Sequence, residues 1–182
     1  EKGVTAEVLQ VSRDNLPEEV YEVNPYGSLP TLLDRDMALY QADIIMEFLD
    51  ERFPHPPLLP VYPVERSKTR LMMYRIKRDW YGLAEKILAN DDNSAEARRD
   101  LRESLLSIGP LFQETMFFMS DDYSLLDCYM SALLWRLPQL GIELSGPGSK
   151  PIKNYMIRLF ERDAFQLSLT EAERDIRRQH SY

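Results

Sequence analysis

Cysteine is nearly absent from this chain of 182 residues: Cys128 stands alone. One thiol cannot build an internal disulfide framework or a thiolate metal cage, and such usage reads as cytoplasmic. Histidine is almost as scarce, with only His55 and His180. A metal site of the usual kind needs three or four convergent ligands, so no metal and no cofactor are expected. Positive charge is in deficit, with 22 Lys and Arg against 30 Asp and Glu, a formal net charge of -8 and a pI near 4.9. Direct binding of nucleic acid through phosphate contacts needs clustered basic residues and is not expected. No apolar run reaches membrane-spanning length, and no repeat or low-complexity tract is present. The chain opens Glu-Lys-Gly-Val, without a methionine or a signal pattern.

What is present is ordinary globular usage, 44% hydrophobic and 29% charged. A chain of this size buries about 70% of its unfolded surface, enough for a real core. The first forty residues read as strands. Val8, Leu9 and Val11 mark a strand over residues 5–11, and Pro17 opens a short acidic helical turn. Residues 29–33 and 37–40 flank the polar turn Asp34-Arg35-Asp36 as a hairpin, so a small mixed sheet is expected.

Helical spacing then takes over. Ile44, Ile45, Phe48 and Leu49 form one stripe ending near Arg52. Ile76, Trp80, Leu83 and Ile87 mark a long helix from Pro63 to the polar run Asn90-Asp91-Asp92-Asn93. Leu101, Leu105, Ile108 and Phe112 mark a second, which Pro110 should kink or break. Leu126, Met130, Leu133 and Leu137 mark a third, opened by Ser124 and Asp127 as a capping box. A fourth follows Pro151, carrying Ile152, Tyr155, Met156, Leu159 and Phe160, and a last helix opens at Thr170 with Glu173 as its box partner.

Between sheet and bundle lies Phe-Pro-His-Pro-Pro-Leu-Leu-Pro-Val-Tyr-Pro at 53–63, five prolines in eleven residues. Each proline fixes its own φ and removes a donor, so the run holds its shape without a hydrogen-bond ladder. Phe53, His55 and Tyr62 are thereby presented at low entropic cost, as interface anchors should be. A rigid interdomain connector explains the same composition, and the two roles are compatible.

Particular residues carry a resemblance. Gly27-Ser28-Leu29-Pro30-Thr31-Leu32 resembles the turn before the cis-proline of glutathione transferases, and Ser124 with Asp127 resembles the capping box of their helical domain. Within that superfamily, Met-Glu-Phe-Leu-Asp-Glu-Arg-Phe-Pro-His-Pro-Pro-Leu at 46–58 and Pro-Val-Tyr-Pro at 60–63 closely resemble the bacterial stringent starvation protein A family. Leu-Trp-Arg-Leu-Pro-Gln-Leu-Gly-Ile-Glu at 134–143 and Ser-Gly-Pro-Gly at 145–148 point the same way.

The resemblance implies an α+β glutathione transferase-like fold. A thioredoxin-like domain over 1–53, lacking its first βα unit, precedes a proline-rich linker and surface motif at 54–63 and an all-helical domain over 64–182. It also implies a dimer, with itself or with a paralogue, that associates with RNA polymerase holoenzyme, including the primary sigma factor, and alters transcription under starvation and stress. The partner surface would be Pro54, His55 and Pro56, completed by Phe53, Pro57 and Tyr62. Catalysis is not expected. Leu29, Pro30, Gln41 and Ala42 are vestigial glutathione-site positions, because active transferases place an acid and a serine where Gln41-Ala42 stand. Each lost charge-assisted bond there costs about 1.5 to 3 kcal/mol. The competing reading is a glutathione-dependent transferase or peroxidase.

Other candidates have simpler explanations. His55 lacks the companions of a metal ligand or general base. Cys128, just inside a capped helix, reads as a buried structural thiol. Arg66, Lys68, Arg70, Arg75, Lys77 and Arg78 read as a solvated helix face or a dimer contact. Trp80-Tyr81 reads as core packing.

Overall fold

Strand β1 (Thr31–Asp34) pairs antiparallel with β2 (Met37–Tyr40), setting Leu32 opposite Leu39 and Leu33 opposite Ala38. The turn between them closes with Arg35 at φ 55°. Before this hairpin comes α1 (Glu18–Val23), with Pro17 at its N-cap and Glu18 and Glu19 meeting the positive end of its dipole. After it comes α2 (Ala42–Arg52). The computed structural model describes residues 1–12, 15–90 and 92–180, with the backbone alone at His180. Within that range the chain separates into two compact units, Glu1–Leu59 and Pro60–Tyr182.

Three expectations for the first unit are corrected. Residues 5–11 form no strand, and Val8 and Leu9 are exposed. Apolar β-branched composition does not make a strand without a neighbour to complete the ladder. Among the described residues the sheet is therefore the two-stranded antiparallel hairpin, not a mixed sheet. Ile44, expected in the apolar stripe of α2, is also exposed, while Ile45 beside it is buried.

The second unit is helical. Pro63, whose missing donor is no loss in a first turn, opens α3 (Pro63–Arg75). A π-helical segment (Ile76–Tyr81) carries it into α4 (Gly82–Ala89), which Asn90 ends in the left-handed conformation. Asp91 lies outside the described residues. Helix α5 (Ser94–Ser107) stops before Gly109-Pro110, and α6 (Leu111–Glu114) restarts beyond it, so Pro110 breaks the chain. Gly109 is required there: a Cβ would lie 2.6 Å from the Gly148 carbonyl oxygen.

Helices α7 (Leu125–Trp135), α8 (Ser149–Phe160), α9 (Asp163–Ser168) and α10 (Glu171–His180) complete the unit. Leu137 is buried but lies beyond α7, because the residue before Pro138 is driven away from helical geometry. Helix α8 begins two residues before Pro151, which sits in a first turn where its lack of a donor does no harm. Helix α9 was not expected. Its Phe165 packs on Trp135 and Phe160, at 5.2 and 5.3 Å between ring centroids.

The core of this unit is where α4 meets α5 and α7 meets α8. Leu101, Leu105, Met130, Leu134, Ile152 and Leu159 are fully buried, and Phe112 stacks on Tyr155 at 4.0 Å. Burying each such side chain contributes about 1.5 to 3 kcal/mol. The run 134–148 is tied down by α5: Arg98 donates to the Leu140 carbonyl at 3.0 Å, and Arg102 to those of Glu143 and Ser145 at 3.0 and 2.8 Å.

Candidate functional site

Asp50 stands in the last turn of α2, where a carboxylate opposes the helix dipole. It is buried, and its surroundings compensate. Oδ1 accepts from the Leu58 N–H at 2.8 Å and from Lys2 Nζ at 2.6 Å, and Oδ2 accepts from the Leu59 N–H at 3.2 Å. The Lys2 ammonium also donates to the Pro56 carbonyl. At the other end of the segment the Phe53 N–H caps α2 by donating to the Leu49 carbonyl at 3.0 Å.

Residues 53–57 are therefore an arch fastened at both ends, whose prolines offer no donors of their own. Leu58 and Leu59 are buried, Phe53 is half-buried with the Arg52 guanidinium 5.5 Å from its ring centroid, and Pro54, His55, Pro56 and Pro57 are exposed. The His55-Pro56 peptide is cis. Tyr62 belongs to the second unit, where it is 73% exposed directly before α3. The structure thus gathers five of the six expected partner-binding residues in one loop of the first unit.

The four glutathione-site positions also lie in the first unit. Leu29-Pro30 is a cis peptide. The turn before it is organised by Asn24, fully buried, whose Nδ2 donates to the Ser28 carbonyl and to Thr31 Oγ1, both at 2.9 Å, while its Oδ1 accepts from the Tyr26 N–H at 3.1 Å. Gln41 precedes α2 at φ 77° and ψ 119°, a conformation that non-glycine residues rarely adopt, and Ala42 is the exposed first residue of the helix.

The capping box forms in the second unit. Ser124 Oγ accepts from the Leu126 N–H at 3.2 Å, and Asp127 Oδ2 accepts from the Ser124 N–H at 2.8 Å. Asp127 does more than cap: its Oδ1 takes the Phe118 N–H at 2.9 Å and the Tyr155 hydroxyl at 2.6 Å. Burial pushes its carboxyl above the usual range, against the pull of Tyr155, Phe118 and Ser124. Burial, reinforced by the Asp127 charge, holds the Tyr155 phenol well above its ordinary value.

The remaining candidates resolve simply. Cys128 is half-buried rather than buried, its Sγ 3.5 Å from the Tyr123 hydroxyl. Among the described residues no three His, Cys, Asp or Glu side chains gather as a metal site, and the His180 side chain lies outside them. Trp80 is buried and bonds Ser104 at 2.8 Å; Tyr81 is half-buried and donates to the Tyr129 carbonyl at 2.9 Å. Of the basic stretch, Lys68, Arg70, Arg75, Lys77 and Arg78 are exposed and Arg66 is half-buried. They share α3 and the π-helical segment with exposed Val64, Leu71 and Tyr74. In the first unit Met37, Leu39, Ile44 and Phe48 line a groove of about 410 Å³ with Asp43, Glu47 and Glu51 on its walls. No helix among the described residues is long and apolar enough to cross a membrane.

Sequence reasoning missed Lys2, Asp50 and Asn24. Only Asp50 left a trace, as an acid in a last helical turn where the dipole disfavours it.

Comparison with known proteins agrees with this architecture. A sequence profile described as the N-terminal domain of glutathione S-transferase matches residues 1–52. The stringent starvation protein A homolog of Pasteurella multocida (strain Pm70) is 54% identical over 170 residues, covering 93% of this chain and 80% of the relative. The homolog of Coxiella burnetii is 47% identical over 178 residues, covering 97% and 85%. Among solved structures, the Tau class glutathione S-transferase of mango superposes with a TM-score of 0.80 at 20% identity, covering 98% of this chain and 87% of that one, a likeness of fold alone. With about half its residues shared across most of both chains and a glutathione transferase fold beneath, this chain belongs to the stringent starvation protein A family.

Proposed function

We propose that this protein is a non-catalytic cytoplasmic regulator of transcription in starvation and stress, docking on RNA polymerase holoenzyme, primary sigma factor included, through residues 53–57. The observation that carries the reading is the arch itself. Pro54, His55, Pro56 and Pro57 face solvent while the chain behind them is fixed by a buried ion pair. A surface already held in one shape loses little entropy on binding. The net charge of -8 favours encounter with a basic protein partner, and the half-buried ring of Phe53 supplies an anchor that slows departure. Tyr62, the sixth expected contact, stands exposed in the second unit, and Tyr62→Ala should weaken polymerase capture if it shares the interface.

The same reading includes self-association. The exposed Val64, Leu71 and Tyr74 are flanked by Lys68, Arg75 and Arg78, whereas the groove of the first unit is apolar and acidic. The two surfaces are complementary in charge and apolar area, so a second copy supplies the occupant of each. Leu71→Asp should convert a dimer to monomer in analytical ultracentrifugation.

The deciding experiment is capture of bacterial RNA polymerase holoenzyme by wild type and by a Pro54, His55 and Pro56 triple alanine variant of verified fold. Capture by wild type alone supports the arch as the docking surface. Equal capture moves the interface elsewhere. A second reading, glutathione binding, is favoured by the unusual backbone of Gln41 at the N-terminus of α2, a place suited to an anion. Calorimetric titration with glutathione and a turnover assay test it, and no heat and no turnover are expected.

A further inference from the structure

We propose that Lys2 and Asp50 are positioning residues for the 54–57 arch, setting its affinity for a protein partner without touching that partner; the proposal rests on the docking reading above. Asp50 and Lys2 are only 5% and 10% exposed, so neither side chain is available to a docking protein. Yet among the described residues their side-chain bonds run to each other, to the arch and to the two residues that follow it. Asp50 holds the N–H groups of Leu58 and Leu59, and the Lys2 ammonium bridges that carboxylate to the carbonyl of Pro56, a residue of the motif.

The prolines make this clamp necessary. Pro54, Pro56 and Pro57 have no N–H to donate, so the arch cannot hold itself through a backbone ladder. Its shape depends on what grips the first donors beyond it, at Leu58 and Leu59, and on what grips its own carbonyls. A carboxylate near a helix C-terminus is electrostatically misplaced, and the ammonium of Lys2 corrects this. The three-way arrangement therefore couples a residue at position 2 to a surface more than fifty positions along the chain. Loosening it lets the arch sample more conformations, and binding must then pay to order it again.

The test uses Asp50→Asn, Lys2→Met and Lys2→Arg in the full chain, with His55→Ala as the control for docking. Asn cannot accept at both side-chain positions, so Asp50→Asn should speed amide hydrogen exchange at Leu58 and Leu59 at least tenfold while leaving the α7 amides unchanged. Its affinity for RNA polymerase holoenzyme should fall about tenfold, chiefly through faster dissociation. Lys2→Met keeps both Asp50 bonds to backbone, so it tests the bridge even if Asp50→Asn folds poorly; an affinity loss of about threefold is expected, with Lys2→Arg restoring most of it. Faster exchange with unchanged affinity overturns the positioning role, provided His55→Ala abolishes binding. Wild-type binding by His55→Ala fails the docking reading instead and takes the affinity claim with it. Unchanged exchange in both Asp50→Asn and Lys2→Met overturns the clamp whatever the polymerase does.

Discussion

Asp50 and Asp127 are both buried carboxylates that collect backbone N–H groups, one in each unit, and they solve the same electrostatic problem differently. Asp127 sits in the first turn of α7, where the helix dipole welcomes negative charge, and its remaining partners are neutral: two backbone N–H groups, the Ser124 hydroxyl and the Tyr155 hydroxyl. Asp50 sits in a last turn, where the dipole opposes it, and it is paired with an ammonium. A buried acid at the favourable end of a helix can rely on neutral donors, whereas one at the unfavourable end recruits a cation. Their consequences also differ, since Asp127 joins α7, α8 and the Phe118 loop within a core, and Asp50 shapes a surface.

Removing each carboxylate should expose that difference. Asp127→Ala strands the buried Phe118 N–H and Tyr155 hydroxyl together with the half-buried Ser124 N–H, and should cost about 3 to 5 kcal/mol in urea denaturation. Asp50→Ala should cost less, about 2 to 3 kcal/mol by the same measurement, because it orphans only the N–H groups of Leu58 and Leu59, while the Lys2 ammonium keeps its bond to the Pro56 carbonyl. Equal losses would erase the contrast between a core hub and a surface clamp.

A gentler probe is pH. The folded pKa of Asp127 is raised by burial, so this group's contribution is fully present below its unfolded pKa and is lost as pH rises through the folded value. The stability of wild type relative to Asp127→Asn should therefore decline on raising the pH across that window, read from urea midpoints at successive pH values. An increase would contradict burial as the dominant influence on the carboxyl. The smallest effect belongs to His55→Ala. An exposed side chain on a clamped arch should change stability by less than about 0.5 kcal/mol in the same denaturation assay, while polymerase capture is lost.

Much of the second unit was legible because its signals are local. Proline at the start of α3, Asn90 at the end of α4, the break at Pro110 and the boxes at Ser124 and Thr170 each act over a few residues. Buried positions at three- and four-residue spacing, such as Leu101, Leu105, Ile152, Tyr155 and Leu159, follow from the helical period alone. The strand expected over 5–11 failed for the complementary reason: a strand is completed by a neighbour, and apolar pattern does not supply one.

By itself the sequence determined most of the helices, the proline start of α3 and the capping boxes of α7 and α10, because φ restriction, capping and periodicity depend on near neighbours in the chain. Only the tertiary structure decided that Lys2 meets Asp50 across 48 positions and that Tyr155 meets Asp127 across 28. Such pairs leave no spacing to read: burial excludes water from a charged or polar group, and whichever partner the fold brings within hydrogen-bonding distance must satisfy it.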